Sequence, residues 1–282
     1  SRANRSCFIT IGSDRIMSGP HSDRAAAEAF LAELPSVSRA VISQYFRQSF
    51  AIDNKADDSP VTIADRSAEA ALRQSISAAF PGHAIMGEEQ GGHVDEGLSW
   101  IIDPIDGTRS FITGRPLFGT LIGIVDGGIP VSGLIDMPAI NETYRTEDGR
   151  SLFESAAGTV AIRSRSCDRL EDAHIATTSP DAFTAEGWQA FTSVKDKCAS
   201  SVYGGDCYNY ALLAAGHLDI VIEHQLGAYD MMALVPILQN AGACVTDWQG
   251  APITINSDGS LLACATRALH QDALKCLHSS QA

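Results

Sequence analysis

The chain is short of basic residues. Twenty lysines and arginines stand against 34 aspartates and glutamates in 282 residues, a formal charge of −14. Gripping a nucleic-acid backbone by counterion release needs a basic face, so this balance argues against nucleic acid as a partner. It leaves room for a small phosphorylated substrate, because a bound divalent cation reverses the sign of the field locally. Long apolar runs are also missing: no stretch approaches the roughly 18 apolar residues of a membrane-spanning helix, so no membrane partner is expected. There is no C-x-x-C pair. The seven cysteines (Cys7, Cys167, Cys198, Cys207, Cys244, Cys264 and Cys276) are odd in number and read as reduced thiols filling apolar space in a cytoplasmic protein. Residues 1–21 have neither a signal-peptide core nor a clear period, and read as a loose N-terminal arm or tag remnant.

What is present is a chain long enough to bury a large core, 45% of it apolar. It divides into two expected halves. The first, residues 22–162, opens with a helix from Ser22 that is interrupted at Pro35, a second helix from Ser36 to about Phe50, a polar loop at residues 55–60, and a long helix ending near Pro81. Short apolar runs punctuated by Asp126-Gly127-Gly128 and Glu147-Asp148-Gly149 then predict an antiparallel meander. The second half, residues 163–282, alternates strands and helices in an α/β manner.

The chemistry concentrates in Trp100-Ile101-Ile102-Asp103-Pro104-Ile105-Asp106-Gly107-Thr108. An apolar strand runs into two aspartates three apart. Pro104 is expected to end the strand and aim Asp103 off its end, while Asp106-Gly107-Thr108 reads as a helix entrance with Asp106 as its cap. Amides at such an entrance attract anions. Two oxygen-donor acids beside them suggest a hard cation, most naturally Mg²⁺. Asp-Pro and Asp-Gly are also ordinary turn dipeptides. Further acids end a strand or begin a helix elsewhere: Glu88 and Glu89 after a strand and a glycine, Asp65 and Asp230 at helix starts. Each singly reads as a cap or a solvated loop residue; their repetition in distant segments is what those readings leave unexplained.

Gly87-Glu88-Glu89, the Asp103–Thr108 motif, and Tyr229-Asp230 followed by an apolar helix and Ala241-Gly242-Ala243 together resemble the inositol monophosphatase-like, Mg²⁺-dependent phosphatases, over essentially the whole chain after about residue 24. The resemblance implies an α+β/α/β fold, an αβαβα layered sandwich with a mostly antiparallel first sheet and a smaller mixed second one, and a homodimer. It implies metal ligation by Glu88, Asp103, Asp106, Asp230 and the carbonyl of Ile105. Thr108 and Asp65 would orient and activate the attacking water together with Glu88, and the amides of Gly107 and Thr108 would hold the phosphate. Lys55 matches a loop lysine near the site. Tyr229 and Ala243 depart from the usual tryptophan and glycine, conservatively in size.

Finer features, Asp106 to Gly114, Phe118 to Gly123, Gly204-Gly205-Asp206-Cys207-Tyr208 and Leu213 to Asp219, look most like the histidinol-phosphate phosphatase branch. That implies L-histidinol phosphate as substrate, with Asp206 and Glu223 facing its amine or imidazole, and Gly205 and Arg109 on the substrate wall. A pair of acids there suits a cationic leaving group better than a neutral polyol. The alternatives are a myo-inositol monophosphatase, more distantly a nucleotide 3′-phosphatase, and a Mg²⁺-binding regulatory relative without turnover.

Overall fold

The computed structural model describes residues 20–48, 52–54 and 60–279; Lys55 and residues 1–19 of the N-terminal arm lie outside them. Helix α1 (Pro20–Phe30) passes through one 3₁₀ turn (Leu31–Glu33) directly into α2 (Leu34–Ile42). Pro35 therefore does not interrupt the helix. It occupies the first turn of α2, where a missing amide proton leaves no bond unmade. The second helix is also shorter than expected: beyond Ile42 the chain continues in turns to Arg47, and Phe50 lies outside the described residues.

A short antiparallel pair, β1 (Ile52–Asn54) and β2 (Pro60–Thr62), leads into α3 (Ile63–Ala79). The large sheet follows: β3 (Ala84–Gly87), β4 (Gly91–Gly92), β5 (Leu98–Asp106), then, after α4 (Thr108–Ile112), β6 (Gly119–Asp126), β7 (Ile129–Met137), β8 (Glu142–Glu147), β9 (Arg150–Ser155) and β10 (Gly158–Ile162). Its order is β10-β9-β8-β7-β6-β5-β3-β4, antiparallel throughout except that β3 and β5 run parallel. The expected meander is there.

The second sheet is built from β11 (His174–Thr177), β12 (Ser200–Tyr203), β13 (Ile220–Glu223), β14 (Cys244–Thr246) and β15 (Leu261–Cys264), in the order β12-β11-β13-β15-β14. It is mixed, with β11 parallel to both its neighbours and β15 antiparallel to both of its own. Between and around these strands run α5 (Ala185–Lys195), α6 (Tyr208–Ala214), α7 (Ala228–Met231), α8 (Leu234–Asn240) and α9 (Arg267–Ser279).

Three apolar clusters bind these elements into five layers. Ala27, Leu31, Leu34, Leu72 and Ile76 of the N-terminal helices pack on Trp100, Ile102, Ile122, Ile124 and Leu134, one face of the large sheet. The alternate residues Ile101, Leu121 and Ile135 face the other way, onto α6, α7 and α8, whose far side meets Val221 and Ala263 of the small sheet. The outer face of that sheet (Ile175, Ile220, Ile222, Leu262) is covered by α5 and α9. The result is an αβαβα sandwich. Its tightest seam lies at Gly123 and Gly133: a Cβ on Gly123 would come 2.8 Å from the Met232 carbonyl carbon, and one on Gly133 would overlap the Ala233 carbonyl. Only glycine lets the α7–α8 backbone lie directly on the sheet. Among the described residues no helix is long and apolar enough to cross a membrane.

Candidate active site

Strand β5 does not stop at Pro104, as expected, but pairs on to Asp106. Asp103 stands opposite Leu121 and Asp106 opposite Gly119, so two residues of β5, Pro104 and Ile105, face one of β6, Thr120. This is a bulge, and it decides the chemistry. In a regular strand, residues three apart point to opposite faces. The extra residue brings Asp103 and Asp106 to the same face, the one covered by α6–α8. Pro104 fits because the bulge demands no ladder proton from it; its carbonyl accepts the Thr120 hydroxyl at 2.8 Å, while an Asp103 oxygen accepts the Ile105 amide at 3.0 Å.

Asp106 is not the helix cap. Gly107 is, at φ 81°, and α4 behind it has only five residues. The Asp106 carboxylate is instead clamped across the inter-sheet boundary by the Cys207 amide, at 2.6 Å. Asp230 lies in the first turn of α7, where its carboxylate accepts the Gly227 amide at 2.6 Å. Glu88 directly follows β3, whose parallel register with β5 pairs Gly87 with Ile102 and so sets Glu88 beside Asp103; the Glu88 amide donates to the Ile102 carbonyl at 3.0 Å. Asp65, fully buried in the first turn of α3, adds its charge to those bearing on Asp103.

Asp103, Asp106 and Asp230 each present an oxygen, all within 4.8 Å of one another. Burial, then repulsion from Glu88, Asp106, Asp230 and Asp65, pushes the Asp103 carboxyl well above its ordinary value. Burial and then Asp206 do the same to Asp106, and burial lifts Asp230 to about 7. None of these shifts has a lysine or arginine among its causes. Buried carboxylates crowded together without a cation are costly to ionise, and a divalent ion relieves that cost. The donors are all oxygen, which suits Mg²⁺ and excludes a soft-metal preference. The residues fit the cation that the sequence implies.

Around this cluster opens a cleft of about 460 Å³ lined by Glu88, Gly107, Thr108, Arg109, Asp206 and Asp230, among others. The Thr108 hydroxyl donates to the Ile105 carbonyl at 3.0 Å. Asp206 packs against Gly107, where a Cβ would fall 2.8 Å from its carboxyl carbon, and accepts the Ser110 hydroxyl at 2.9 Å. Burial raises Asp206, while Ser110, Arg109 and Arg115 pull it back. Glu223, in the adjoining hollow, accepts the Thr178 amide at 2.9 Å, the Thr178 hydroxyl at 2.5 Å and the Tyr210 hydroxyl at 3.1 Å. Burial outweighs these bonds and lifts Glu223 to about 7. Gly205 is buried and faces the Asn209 side chain; of these two adjacent glycines it is Gly204 that lines the cleft.

Several residues escaped sequence reasoning. Arg115 and Thr178 lie in no motif, and the Cys207 amide and Ser110, though inside stretches that carry the resemblance, had no role read for them; only folding brings them here. Glu69 had a signal, since it lies four residues beyond Asp65 on the same helix face. It is fully buried, and its carboxylate accepts the Glu89 and Gln90 amides and the Arg73 guanidinium. A second, shallower hollow of about 600 Å³, bordered by Met86, Val94 and Ile255, has the neighbouring acids Asp95 and Glu96 on its wall, but among the described residues they are not part of a group of three acids within ligating distance.

Comparison with known proteins gives a consistent result. The sequence profile described as the inositol monophosphatase family matches residues 24–282. Over 254 residues, 86% of this chain and 72% of the relative, the sequence is 43% identical to the bifunctional phosphatase IMPL2, chloroplastic, of Arabidopsis thaliana. It is 35% identical to a histidinol-phosphatase of Chlorobaculum parvum, covering 80% of this chain and 88% of that one. Among solved structures, an inositol monophosphatase from Zymomonas mobilis superposes with a TM-score of 0.81 at 40% identity, over 93% of this chain and all of that one.

Proposed function

Since the chain belongs to the inositol monophosphatase family of phosphatases, we propose that it is a Mg²⁺-dependent phosphomonoesterase whose substrate is L-histidinol phosphate. The observation that carries the choice of substrate is Glu223. It is a buried acid beside the cleft, with three hydrogen-bond donors, and among the described residues no lysine or arginine forms an ion pair with it. An ammonium or imidazolium group arriving with the substrate relieves that carboxylate; a neutral polyol does not. The 35% identity to a histidinol-phosphatase supports the same choice. Asp206, whose burial Ser110, Arg109 and Arg115 offset only in part, stands on the same wall and also buttresses Gly107.

Glu88, Asp103, Asp106, Asp230 and the Ile105 carbonyl would hold the cation. When bound, it would neutralise phosphate charge and acidify water in the cleft. The chain's own residues do the rest. The Gly107 and Thr108 amides seat the phosphate, Arg109 and Arg115 at the rim add positive charge, and Thr108 and Asp65 orient the attacking water in line with the ester bond. Because α4 has only five residues, these are contacts with individual amides rather than the pull of a long helix.

A second reading, inositol monophosphate as substrate, draws on the likeness to the Zymomonas mobilis protein. Phosphate release from histidinol phosphate, inositol 1-phosphate, fructose bisphosphate and adenosine bisphosphate, with and without EDTA, tests both. The proposal expects the largest kcat/KM for histidinol phosphate and loss of all activity in EDTA. Preference for inositol 1-phosphate replaces the substrate; no release from any ester, with Mg²⁺ still bound, makes the protein a binding relative.

A further inference from the structure

We propose that Glu69 is a positioning residue for the metal site, acting through the turn that carries Glu88. The proposal rests on Glu88 being a metal ligand, the reading given above. Glu69 has no solvent exposure, and its carboxylate lies directly beneath residues 87–90. It accepts the Glu89 amide at 2.7 Å and the Gln90 amide at 3.1 Å, the two peptide protons immediately after Glu88. Gly87, immediately before Glu88, admits it: a Cβ there would overlap the Glu69 carboxylate. On the other side of Glu88, its own amide is tied to the Ile102 carbonyl of β5, one residue before Asp103. Glu88 is therefore fixed from both sides, to the strand bearing Asp103 and to the helix bearing Asp65.

Arg73 completes the brace. It donates to Glu69 at 2.7 Å, and also to the carbonyls of Ile85 and Gly91, which flank the same turn. A buried carboxylate that only stabilised α3 would be served by this arginine alone. Spending its remaining lone pairs on two consecutive loop amides instead sets the direction in which the turn projects Glu88. Residues that hold a metal ligand in place through hydrogen bonds typically change affinity about ten- to a hundredfold when altered.

The test measures Mn²⁺ affinity of the purified protein by titration calorimetry or electron paramagnetic resonance, without substrate, beside melting temperature and kinetics. The variants are Glu69→Gln, Arg73→Met, Glu88→Gln, and Asp219→Asn as control. Asp219 is an equally buried acid held by Arg165 and the His174 amide in the small sheet. Glu69→Gln is expected to weaken Mn²⁺ binding about tenfold, to speed hydrogen exchange at the Glu89 and Gln90 amides, and to leave substrate KM unchanged at saturating Mg²⁺. Arg73→Met should do the same to a smaller extent, and Asp219→Asn should lower the melting temperature without affecting Mn²⁺. Parental Mn²⁺ affinity in Glu69→Gln, or in Arg73→Met should the first variant not fold, overturns the proposal, as does equal weakening by Asp219→Asn. If Glu88→Gln itself binds Mn²⁺ like the parent, the metal reading falls and this inference with it; if only Glu88→Gln weakens binding, the metal reading stands and Glu69 has no part in it.

Discussion

Replacing Asp230 with asparagine should make the metal-free protein more stable and the enzyme inactive. Unfolded, the carboxyl ionises near 3.8; folded, burial and the neighbouring acids move this to about 7 even though the Gly227 amide favours the charged form. Between those pH values unfolding releases a proton, so the raised group takes stability away as pH rises, and above about 7 the whole penalty stands. At about 1.4 kcal/mol per pH unit the difference is about 4 kcal/mol at pH 8 and about 2 kcal/mol at pH 5. Asparagine keeps an oxygen for the Gly227 amide and never ionises, so it recovers up to those amounts. With a melting temperature that moves about 2–4 °C per kcal/mol in a domain near this size, the gain at pH 8 is about 10 °C. Thermal unfolding of parent and Asp230→Asn in EDTA and in Mg²⁺, at both pH values, reads it directly. In Mg²⁺ the order should reverse, because the parent gains binding energy that the variant has lost. A variant less stable than the parent in EDTA at pH 8, or one that responds to Mg²⁺ as the parent does, would refute the argument.

Asp103→Asn, placed centrally among the acids, should reduce phosphate release to background even at saturating Mg²⁺; near-parental turnover contradicts its role. Glu223→Gln should raise KM for histidinol phosphate about ten- to a hundredfold, the value of a charged hydrogen bond, with little effect on inositol 1-phosphate; an equal loss on both esters removes Glu223 from amine recognition. Because Glu223 ionises near 7 while the substrate's ammonium keeps its charge, KM for histidinol phosphate should fall as pH rises from about 6 to about 8 when Glu223 meets the ammonium, and Glu223→Gln should flatten that profile. Gly133→Ala should destabilise the protein by about 1–3 kcal/mol by forcing α8 off the sheet, measured by denaturant unfolding, while Mn²⁺ affinity is retained.

Much of this was legible from local pattern. Short apolar runs with Asp126-Gly127-Gly128 and Glu147-Asp148-Gly149 between them announced the meander, whereas the strand–helix alternation after residue 163 pointed to a more parallel layer than the mixed sheet that forms, in which β15 runs antiparallel to both neighbours. The acids were legible because Asp-Pro-Ile-Asp-Gly-Thr is short and distinctive. What proline does was not. Pro35 and Pro104 both looked like terminators, yet one sits where a helix needs no proton and the other where a bulge needs none. The bulge is a property of pairing between β5 and β6, which no single segment contains. The Cys207 amide on Asp106, and Arg115 near Asp206, lie far from their partners in sequence, so only the packed layers reveal them. The spacing of Glu69 from Asp65 put both on one helix face, but that its carboxylate meets the amides of a loop twenty residues away is visible only in the fold.

The most direct test is a crystal of the protein grown with Mn²⁺ and measured at the manganese edge. The account predicts anomalous peaks roughly 2 Å from oxygens of Asp103, Asp106 and Asp230, with Glu88 and the Ile105 carbonyl completing the shell. Manganese bound elsewhere, or none at this cluster under conditions that support phosphate release, would contradict it.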